Sequence, residues 1–328
     1  MTPPWDSLAD LGEDGLVADI LGALGAVAAP SWVSVGPGDD AAVLDLGGPV
    51  VVSTDTLAEG PDFRLEWSGG DDVGVKSVAQ NFADVAAMGA VPRAIVVSLA
   101  APPSLASAWA RDLRRGIAEE CARAGAALVG GDVSEASEVV VTGTAVGVLA
   151  GVAPVLRSGA RPGDVVALAG LTGHSAAGLA VLLAGQEPTD PAAERAVALH
   201  KRPDPPYAAG PAAARAGATA MIDTSDGLLR DAARIATASG VAVDLDLAAL
   251  TPDAGLAALA GRLGADPLAW VLAGGEDHKL LATFPAGAGL PPPFRRVGAV
   301  TAGEPTVTVG GRPWHGETGW RHFTRGEP

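Results

Sequence analysis

The 328-residue sequence is poor in two residue types on which common sites are built. Cys121 is the one cysteine, which excludes a disulfide framework and a zinc site made of cysteines. Lysine occurs only at Lys76, Lys201 and Lys279, and the sequence contains no G-x-x-x-x-G-K-[ST] segment and no strand–G-x-G-x-x-G–helix unit. Bound phosphate would therefore have to be held by something other than a lysine-bearing loop.

Basic charge and long apolar runs are also scarce. The formal net charge is −16, which makes nucleic acid a poor partner because phosphate backbones require a basic surface. An acidic protein that binds polyphosphate needs metal cations, although acidity that serves only solubility fits the composition equally well. No run of about 18 apolar residues is free of glycine, proline and charge, so we expect no membrane span. Met1 to Asp14 lacks an apolar signal core, which with the single cysteine favours a cytoplasmic location.

The composition predicts a folded chain of two domains. Hydrophobic residues make up 48% of the chain and charged residues 18%, which is enough to build a core. Domains of about 100–200 residues predict two of them here. Strand and helix patterns alternate, so we predict a mixed α/β fold with domains at 1–152 and 153–328, joined by a linker at 151–154. The predicted strands are 49–54, 94–100, 127–129, 139–149, 164–169, 218–223, 241–247 and 280–284. The predicted helices are 71–88, 104–125 (capped by Ser104), 175–183, 192–206 (helical, then broken by prolines) and 226–239.

Six short acidic motifs, most of them containing glycine, stand out, and we expect them in loops where strands lead into helices. Carboxylate oxygens suit magnesium, which bridges carboxylates to phosphate oxygens, and glycine lets the backbone approach a ligand closely. One such motif more often forms a turn or a helix cap, but six together indicate a site for metal-bound phosphates. The motifs are GPGDD (36–40), STD (53–55), NFAD (81–84), GGD (130–132), DTSDG (223–227) and GGED (274–277).

Asp84 is the most informative of these acidic residues. Val78, Phe82 and Val85 follow helical spacing around it. A carboxylate beside an apolar helix face is costly unless it is paired or bound to a metal. The sequence therefore predicts a paired or metal-bound aspartate on this helix.

The ordered set of segments resembles the thiamine-monophosphate kinase family. This family belongs to a superfamily with aminoimidazole-ribonucleotide synthetase, selenophosphate synthetase and a hydrogenase-maturation protein. The resemblance extends from about Gly36 to Phe323. It is carried by GPGDDAAVL (36–44), STDTLAEG (53–60), KSVAQNFADVAAMGA (76–90), GGDVS (130–134), RSGARPGD (157–164), TGHSAAGLA (172–180), IDTSDGLL (222–229) and GGED (274–277).

The resemblance implies roles for individual residues. Glu276, Trp320 and the segment with Asp62 match positions that contact the substrate. ATP-contacting positions are matched by Gly131, Asp132, Arg157 and Ser225. The positions that hold several magnesium ions around ATP are matched by Asp40, Ser53, Thr54, Asp55, Asp84, Asp132, Asp223 and Asp226, of which Asp40, Asp55, Asp84, Asp132 and Asp223 would be the catalytic residues.

The resemblance also implies a fold and a reaction. The N-terminal domain would contribute strands to a barrel at a homodimer interface, the C-terminal domain would be α/β, and the active site would lie in the cleft between them. The γ-phosphoryl group of ATP would pass directly to a phosphate oxygen of thiamine monophosphate. That oxygen is already ionised at neutral pH, so positioning and charge neutralisation carry the catalysis. Arg157 would add planar donors for phosphate oxygens.

Three features depart from the family pattern or invite other interpretations. Asp62 stands where the family usually has histidine, and its carboxylate could repel a substrate phosphate, pair with the cationic thiazolium or face solvent. His278 and Lys279 replace the commoner aromatic and acidic residues, which we interpret as local packing. We interpret His174 as the start of a helix and His200 as a surface residue.

Other functions match the sequence less well. Selenophosphate synthetase needs a reactive cysteine or selenocysteine near its N-terminus, where this sequence has neither. The hydrogenase-maturation relative needs a C-terminal cysteine where this sequence ends in Gly326-Glu327-Pro328. Aminoimidazole-ribonucleotide synthetase shares the ATP-binding segments but not the full set with Trp320. Two further alternatives are a catalytically altered or silent ATP-binding paralogue, suggested by Asp62, and a structural protein whose aspartates only cap helices.

Overall fold

A computed structural model describes residues 7–25, 29–37 and 41–321. The chain divides into two compact units. The N-terminal unit comprises Met1–Val85 and Val91–Ala150, and the C-terminal unit comprises Ala86–Ala90 and Gly151–Pro328. Both units combine helices with sheets, so the predicted mixed α/β class is confirmed.

The N-terminal unit is built on a four-stranded sheet with strand order β3-β6-β4-β5. The two edge strands are β3, which pairs antiparallel with β6, and β5, which pairs parallel with β4. A separate two-stranded ribbon joins β1 and β2. The elements are α1 (Leu8–Gly25), β1 (Val33–Val35), β2 (Val43–Leu44), β3 (Val50–Ala58), α2 (Gly70–Ala87), β4 (Val91–Ala101), α3 (Ser107–Ala124), β5 (Ala127–Glu135) and β6 (Val140–Val148).

The two faces of this sheet differ in what covers them. Helix α2 lies on one face, where a Cβ atom added to Gly143 would come within 2.6 Å of Asn81 Nδ2. The apolar side of α2, including Val78 and Phe82, is fully buried. The opposite face of β3 carries exposed side chains such as Val52, which retains 62% of its accessible surface. A half-covered sheet of this kind follows from the alternation of inward and outward side chains along each strand.

Helices α2 and α3 cross with their backbones in contact. A Cβ atom at Gly74 would lie 2.2 Å from the Leu113 carbonyl oxygen, and one at Gly116 would lie 2.1 Å from the Asp71 carbonyl oxygen. Only glycine permits this approach. The crossing therefore fixes the position of α2 against its neighbour, and α2 carries Asp84.

The C-terminal unit is built on a seven-stranded sheet with strand order β13-β12-β9-β11-β7-β10-β8. Its pairs are antiparallel except for β12 with β9. Strand β8 is at one edge and is followed directly by the DTSDG motif. The elements are β7 (Val165–Ala169), α4 (His174–Leu183), α5 (Pro191–Lys201), α6 (Ala209–Arg215), β8 (Ala220–Asp223), α7 (Leu228–Ser239), β9 (Ala242–Leu245), α8 (Ala254–Leu263), α9 (Pro267–Ala273), β10 (Leu280–Phe284), β11 (Phe294–Thr301), β12 (Thr306–Val309) and β13 (Arg312–Pro313).

The core of the C-terminal unit joins this sheet to its helices. Leu168 from β7, Leu228 from α7 and Leu245 from β9 are completely buried within it. Gly227, with a φ of 116°, turns the chain from the motif into α7. A Cβ atom there would lie 2.7 Å from the Ala273 carbonyl oxygen, so the tight turn requires glycine.

Several predicted boundaries were wrong. Helix α3 begins at Ser107 after Ala106, so Ser104 is not its cap. The third strand does not end at Val129 but continues as β5 to Glu135. In the segment 192–206, helix α5 ends at Lys201 and prolines follow, as predicted. Nine further elements were not predicted: α1, β1, β2, α6, α8, α9, β11, β12 and β13.

Within the described residues, no single helix is long and apolar enough to cross a bilayer. Helices α8 and α9 meet the length and composition together, but the pair is bent by 113°.

Candidate active site

Three predicted ligands in the N-terminal unit lie on the helix-covered face of the sheet. Ser53 Oγ on β3 donates to Asp84 Oδ2 on α2 at 2.7 Å. Asp55 is two residues beyond Ser53 on the same strand and therefore on the same face. Asp84 is half-buried among fully buried neighbours such as Phe82 and Val85, as the helical spacing predicted. A seryl hydroxyl and two carboxylates supply the hard oxygens that magnesium prefers.

Thr54 and Asp132 lie on the other face of the same sheet. Thr54 Oγ1 donates to the Gly143 carbonyl oxygen at 2.8 Å and lies 3.1 Å from Thr144 Oγ1. Asp132 on β5 is paired with Ser98 on β4, whose Oγ donates to Asp132 Oδ2 at 3.5 Å. Within the N-terminal unit, the structure therefore does not bring Asp132 together with Asp84.

The expected loop position of three motifs was wrong. Ser53, Thr54 and Asp55 lie inside β3, the NFAD motif (81–84) lies inside α2, and Gly131 and Asp132 lie inside β5. A Cβ atom at Gly131 would be 2.1 Å from the Val97 carbonyl oxygen, so close strand contact explains this glycine. Asp40 lies outside the described residues.

Asp62 closes the turn that follows β3. Its Oδ2 accepts the Ala58 N–H at 2.8 Å, and its own N–H donates to the Ala58 carbonyl oxygen at 3.1 Å. Lys76, buried in α2, donates from Nζ to the Asp62 carbonyl oxygen at 2.8 Å. The Asp62 carboxylate therefore stabilises the turn after β3, and Lys76 stabilises the same turn through the Asp62 carbonyl oxygen.

In the C-terminal unit, two acidic motifs are joined by backbone hydrogen bonds. The DTSDG motif follows β8, and the GGED motif precedes β10, which pairs with β8. The Glu276 N–H donates to the Ser225 carbonyl oxygen at 2.7 Å, and the Trp320 N–H donates to the Asp226 carbonyl oxygen at 2.9 Å. The structure thus brings together Asp223, Ser225, Asp226, Glu276 and Trp320, five residues that the resemblance assigned to the site.

The carboxylate of Asp226 is held by arginines from α7. Arg234 binds Asp226 Oδ2 through Nη2, and Arg230 Nε lies 3.4 Å from the same oxygen. Arg234 also binds the completely buried Asp231, whose Oδ2 accepts the Asp226 N–H at 3.1 Å. Burial, with the negative charge of Asp223, raises the pKa of Asp231 to about 7, although Arg234 opposes the shift. Asp231 and Arg234 thus fix both the backbone and the side chain of Asp226.

Glu276 and Trp320 have different surroundings. Glu276 has a left-handed φ of 61°, and its Oε2 lies 3.4 Å from His200 Nδ1. The same ring nitrogen lies 3.1 Å from Ser175 Oγ. His200 is buried, so its interpretation as a surface residue was wrong. Trp320 is 57% exposed.

Two neighbours of Glu276 have roles that the sequence analysis missed. Asp277 is buried and accepts the N–H groups of Gly173 (2.5 Å) and Ser175 (3.0 Å) at the start of α4. Burial raises its pKa to about 6 despite these hydrogen bonds. His278 contacts Asp223, with 3.1 Å between Nδ1 and Oδ2, so its interpretation as local packing was wrong. The GGED motif was the available signal for Asp277, and the departure at position 278 was the signal for His278.

Arg157 and His174 complete the set of predicted residues in this unit. Arg157 is exposed in the segment before β7, and its carbonyl oxygen accepts Ser239 Oγ at 2.8 Å. His174 begins α4 as predicted and its Nε2 lies 3.1 Å from Asp253 Oδ2. Burial lowers the pKa of His174, while Asp253 opposes the shift.

Comparisons with known proteins identify the family. Residues 38–149 match the family model "AIR synthase related protein, N-terminal domain", and residues 161–309 match its C-terminal counterpart. The thiamine-monophosphate kinase of Mycobacterium tuberculosis is 50% identical over 303 residues, which cover 91% of this chain and 88% of the relative. The chain belongs to the thiamine-monophosphate kinase family.

Solved structures of thiamine-monophosphate kinases share the fold. The enzyme from Aquifex aeolicus aligns with a TM-score of 0.76 at 30% identity, covering 82% of this chain and 90% of that chain. The structure of AaThiL complexed with AMPPCP and TMP gives a TM-score of 0.79 at 31% identity and covers 95% and 97% of the two chains.

The acidic residues of this thiamine-monophosphate kinase family member fit magnesium in two separate sets. Residues 7–25, 29–37 and 41–321 contain no group of three or more His, Cys, Asp or Glu side chains arranged around one metal position. Each unit instead offers two carboxylates and a hydroxyl: Asp55 and Asp84 with Ser53, whose Oγ donates to Asp84, and Asp223 and Asp226 with Ser225 between them in the sequence. Magnesium typically binds proteins through one or two carboxylates and takes its other ligands from water and substrate phosphates. The donor sets fit that mode.

Proposed function

We propose that the protein phosphorylates thiamine monophosphate to thiamine diphosphate with ATP, using several magnesium ions. The observation that carries the proposal is the 50% identity with a thiamine-monophosphate kinase over 91% of the chain. The structural relative complexed with AMPPCP and TMP supports a site for a nucleotide and a thiamine phosphate. The two sets of carboxylates described above would hold the magnesium ions whose positive charge such a reaction needs.

The residues of the N-terminal unit would hold the nucleotide phosphates. Their carboxylates would hold magnesium, which would supply the positive charge that neutralises the phosphates. Asp84 and Asp55 present carboxylates, and the Ser53 hydroxyl keeps the Asp84 carboxylate in place. We also assign Asp40, Thr54 and Asp132 to this task, as the resemblance implies, and Gly131 to ATP contact.

The residues of the C-terminal unit would serve both substrates. Asp223 and Asp226 present carboxylates at the end of β8 that would hold magnesium, and Ser225 and Arg157 would contact ATP, as the resemblance implies. Glu276 and the exposed Trp320 ring would contact the cationic thiamine part. The attacking phosphate oxygen is ionised at neutral pH, so these residues need only align it and balance its charge.

We further propose that the protein is a cytoplasmic homodimer with domains at 1–152 and 153–328. The exposed face of the N-terminal sheet, which carries Val52 and Thr54, supports pairing with a second copy into a barrel. Burial of this face in a dimer would remove exposed apolar surface from water.

A catalytically silent paralogue is less well supported. The motive for that alternative was a carboxylate at position 62 in the substrate region. Asp62 uses its carboxylate to accept the Ala58 N–H, so its charge is engaged within the turn.

The proposal is tested by ADP release from ATP, magnesium and thiamine monophosphate, with parallel reactions that lack each component. Free thiamine serves as the alternative acceptor. Turnover that requires both magnesium and thiamine monophosphate supports the kinase. Magnesium-dependent ATP binding without turnover on thiamine monophosphate would indicate a silent paralogue or another substrate.

A further inference from the structure

His278 is held rigidly beside the end of β8. Its N–H donates to the Thr224 carbonyl oxygen at 3.1 Å. The next residue, Lys279, accepts the Thr224 N–H on its carbonyl oxygen at 2.7 Å and donates its own N–H to Thr224 Oγ1 at 3.0 Å. The φ of His278 is 49°, a left-handed conformation that is unfavourable for most residues other than glycine. Such strain is kept when surrounding structure enforces it, and it concentrates at functional sites.

The imidazole of His278 contacts a carboxylate that would face the phosphates. Nδ1 lies 3.1 Å from Asp223 Oδ2, and the side chains of His278 and Asp223 are only 5% and 4% exposed. An ionised carboxylate can only accept hydrogen bonds, so Nδ1 carries the proton and donates it to Oδ2. A buried carboxylate without such a donor would be strongly disfavoured.

The contact determines how Asp223 presents its second oxygen. Because Oδ2 is bound to a ring whose backbone is fixed on both sides, the carboxylate cannot rotate freely. Oδ1 therefore has a fixed direction at the end of the strand. Donors of this kind, behind a metal-binding carboxylate, orient the ligand without touching the metal.

We propose that His278 is a positioning residue whose Nδ1–H fixes the Asp223 carboxylate for binding of the magnesium–nucleotide complex. The inference rests on the proposed function, since it assigns Asp223 to metal-bound phosphate. It adds a residue that none of the acidic motifs contains.

Three substitutions of His278 distinguish a donor in the right place from one that is misplaced or absent. The amide nitrogen of asparagine is as many bonds from Cα as histidine Nδ1, whereas that of glutamine corresponds to Nε2. Asparagine also tolerates left-handed backbone better than most residues. His278→Asn should keep the donor in place, while His278→Gln misplaces it and His278→Leu removes it.

The matched control is His174→Leu. His174 is also buried in the C-terminal unit and also contacts a carboxylate, with 3.1 Å between Nε2 and Asp253 Oδ2. It lies at the start of α4 and has no proposed part in binding. Loss of this contact should affect stability alone.

The first measurement is binding of manganese(II) together with AMP-PCP, followed by electron paramagnetic resonance, which requires no turnover. We expect His278→Leu and His278→Gln to weaken manganese binding about 10–100-fold, and His278→Asn and His174→Leu to stay within about threefold of the wild type. The second measurement is the magnesium concentration at half-maximal rate, which should follow the same order while the KM for thiamine monophosphate changes little.

Two results would overturn the inference. One is unchanged manganese binding by His278→Gln, and the other is equal loss by the asparagine and glutamine variants. The comparison of His278→Asn with His278→Gln tests whether a donor is needed at the position of Nδ1, even if the leucine variant does not fold. Suppose that the variants rank as predicted in manganese affinity while the wild type does not phosphorylate thiamine monophosphate. In that case the proposed function fails and the positioning role of His278 stands.

Discussion

Asp84 is the residue whose charge matters most directly to the proposed chemistry. Asp84→Asn keeps the size of the side chain and an oxygen that can accept from Ser53 Oγ, but removes the negative charge. We expect kcat to fall at least about 100-fold, because metal-held charge at the transition state is worth several kcal/mol. Steady-state kinetics at saturating ATP and magnesium measure this loss. Asp112→Asn, which removes another charge from the N-terminal unit, should leave kcat within about twofold.

Arg234 is the residue on which the buried Asp231 depends. Arg234→Met leaves Asp231 buried without its cation, and we expect the free energy of unfolding to fall by about 2–4 kcal/mol at pH 8. The pKa of Asp231, already raised to about 7, should rise further. Protonation in the folded state then lessens the cost at lower pH, so the destabilisation should be smaller at pH 6 than at pH 8.

Urea denaturation at both pH values measures the effect of Arg234→Met. Arg262→Met removes a comparable but exposed ion pair with Asp190 and should cost less than about 1 kcal/mol at either pH. An equal loss of unfolding free energy in both variants at pH 8 would show that Arg234 does not stabilise the charged form of Asp231.

The residues differ in how far the sequence could predict their environment. Asp84 could be placed on a helix beside buried side chains because Val78, Phe82 and Val85 set the helical period. The contact between His278 and Asp223 could not be predicted from the sequence, because it joins residues 55 positions apart through the pairing of β8 with β10. Contacts across a sheet depend on strand order and register, which a single sequence with several possible topologies does not specify.

At the scale of elements, the crossing of α2 and α3 depends on glycines. Alanine is normally favoured over glycine inside a helix by about 1 kcal/mol. Gly74→Ala should instead destabilise the protein by about 2 kcal/mol or more, because its Cβ would lie 2.2 Å from the Leu113 carbonyl oxygen. Thermal or urea denaturation of the variant shows directly whether Gly74→Ala lowers or raises the free energy of unfolding.

The control for this helix crossing is Gly261→Ala in α8. No atom lies within 4 Å of a Cβ added there, so the variant should be as stable as the wild type or more stable by up to about 1 kcal/mol. If Gly74→Ala also stabilises the protein, the two helices are not in backbone contact as described.

Glycine has two different roles in the motifs, close contact between strands and a turn with positive φ, and the sequence alone did not distinguish them. We predicted GGD at a loop because glycine beside aspartate is typical of turns. In the structure Gly131 lies within β5 because the strand runs against the Val97 carbonyl oxygen of β4. The DTSDG motif did lie between a strand and a helix, as predicted, since Gly227 there takes a positive φ.

At the scale of the whole molecule, the exposed face of the N-terminal sheet predicts self-association. The wild type should have a mass of about twice 32.4 kDa by light scattering after size-exclusion chromatography. Val52→Asp places a charge on the face that would be buried, and we expect a dimer dissociation constant raised at least about 100-fold. Leu183→Asp, at a residue that is 60% exposed on the other unit, should leave the dimer intact. A monomeric wild type would contradict the proposed barrel.

At the same scale, the sequence did not predict on which face of the N-terminal sheet each acidic residue lies. The motifs and their order were enough to predict the family and the mixed α/β class. They did not indicate that Asp132 and Asp84 lie on opposite faces of one sheet, because face assignment requires the strand boundaries that were wrong for β5.

The central claim is direct transfer of a phosphoryl group from ATP to thiamine monophosphate. The most direct measurement follows ATP labelled with ³²P at the γ-phosphate, incubated with the protein, magnesium and thiamine monophosphate, and separates the products by chromatography. The account predicts that the label appears in thiamine diphosphate, in an amount equal to the ADP formed, and that omission of magnesium abolishes the transfer. Label that appears only in inorganic phosphate, or remains in ATP, would contradict it.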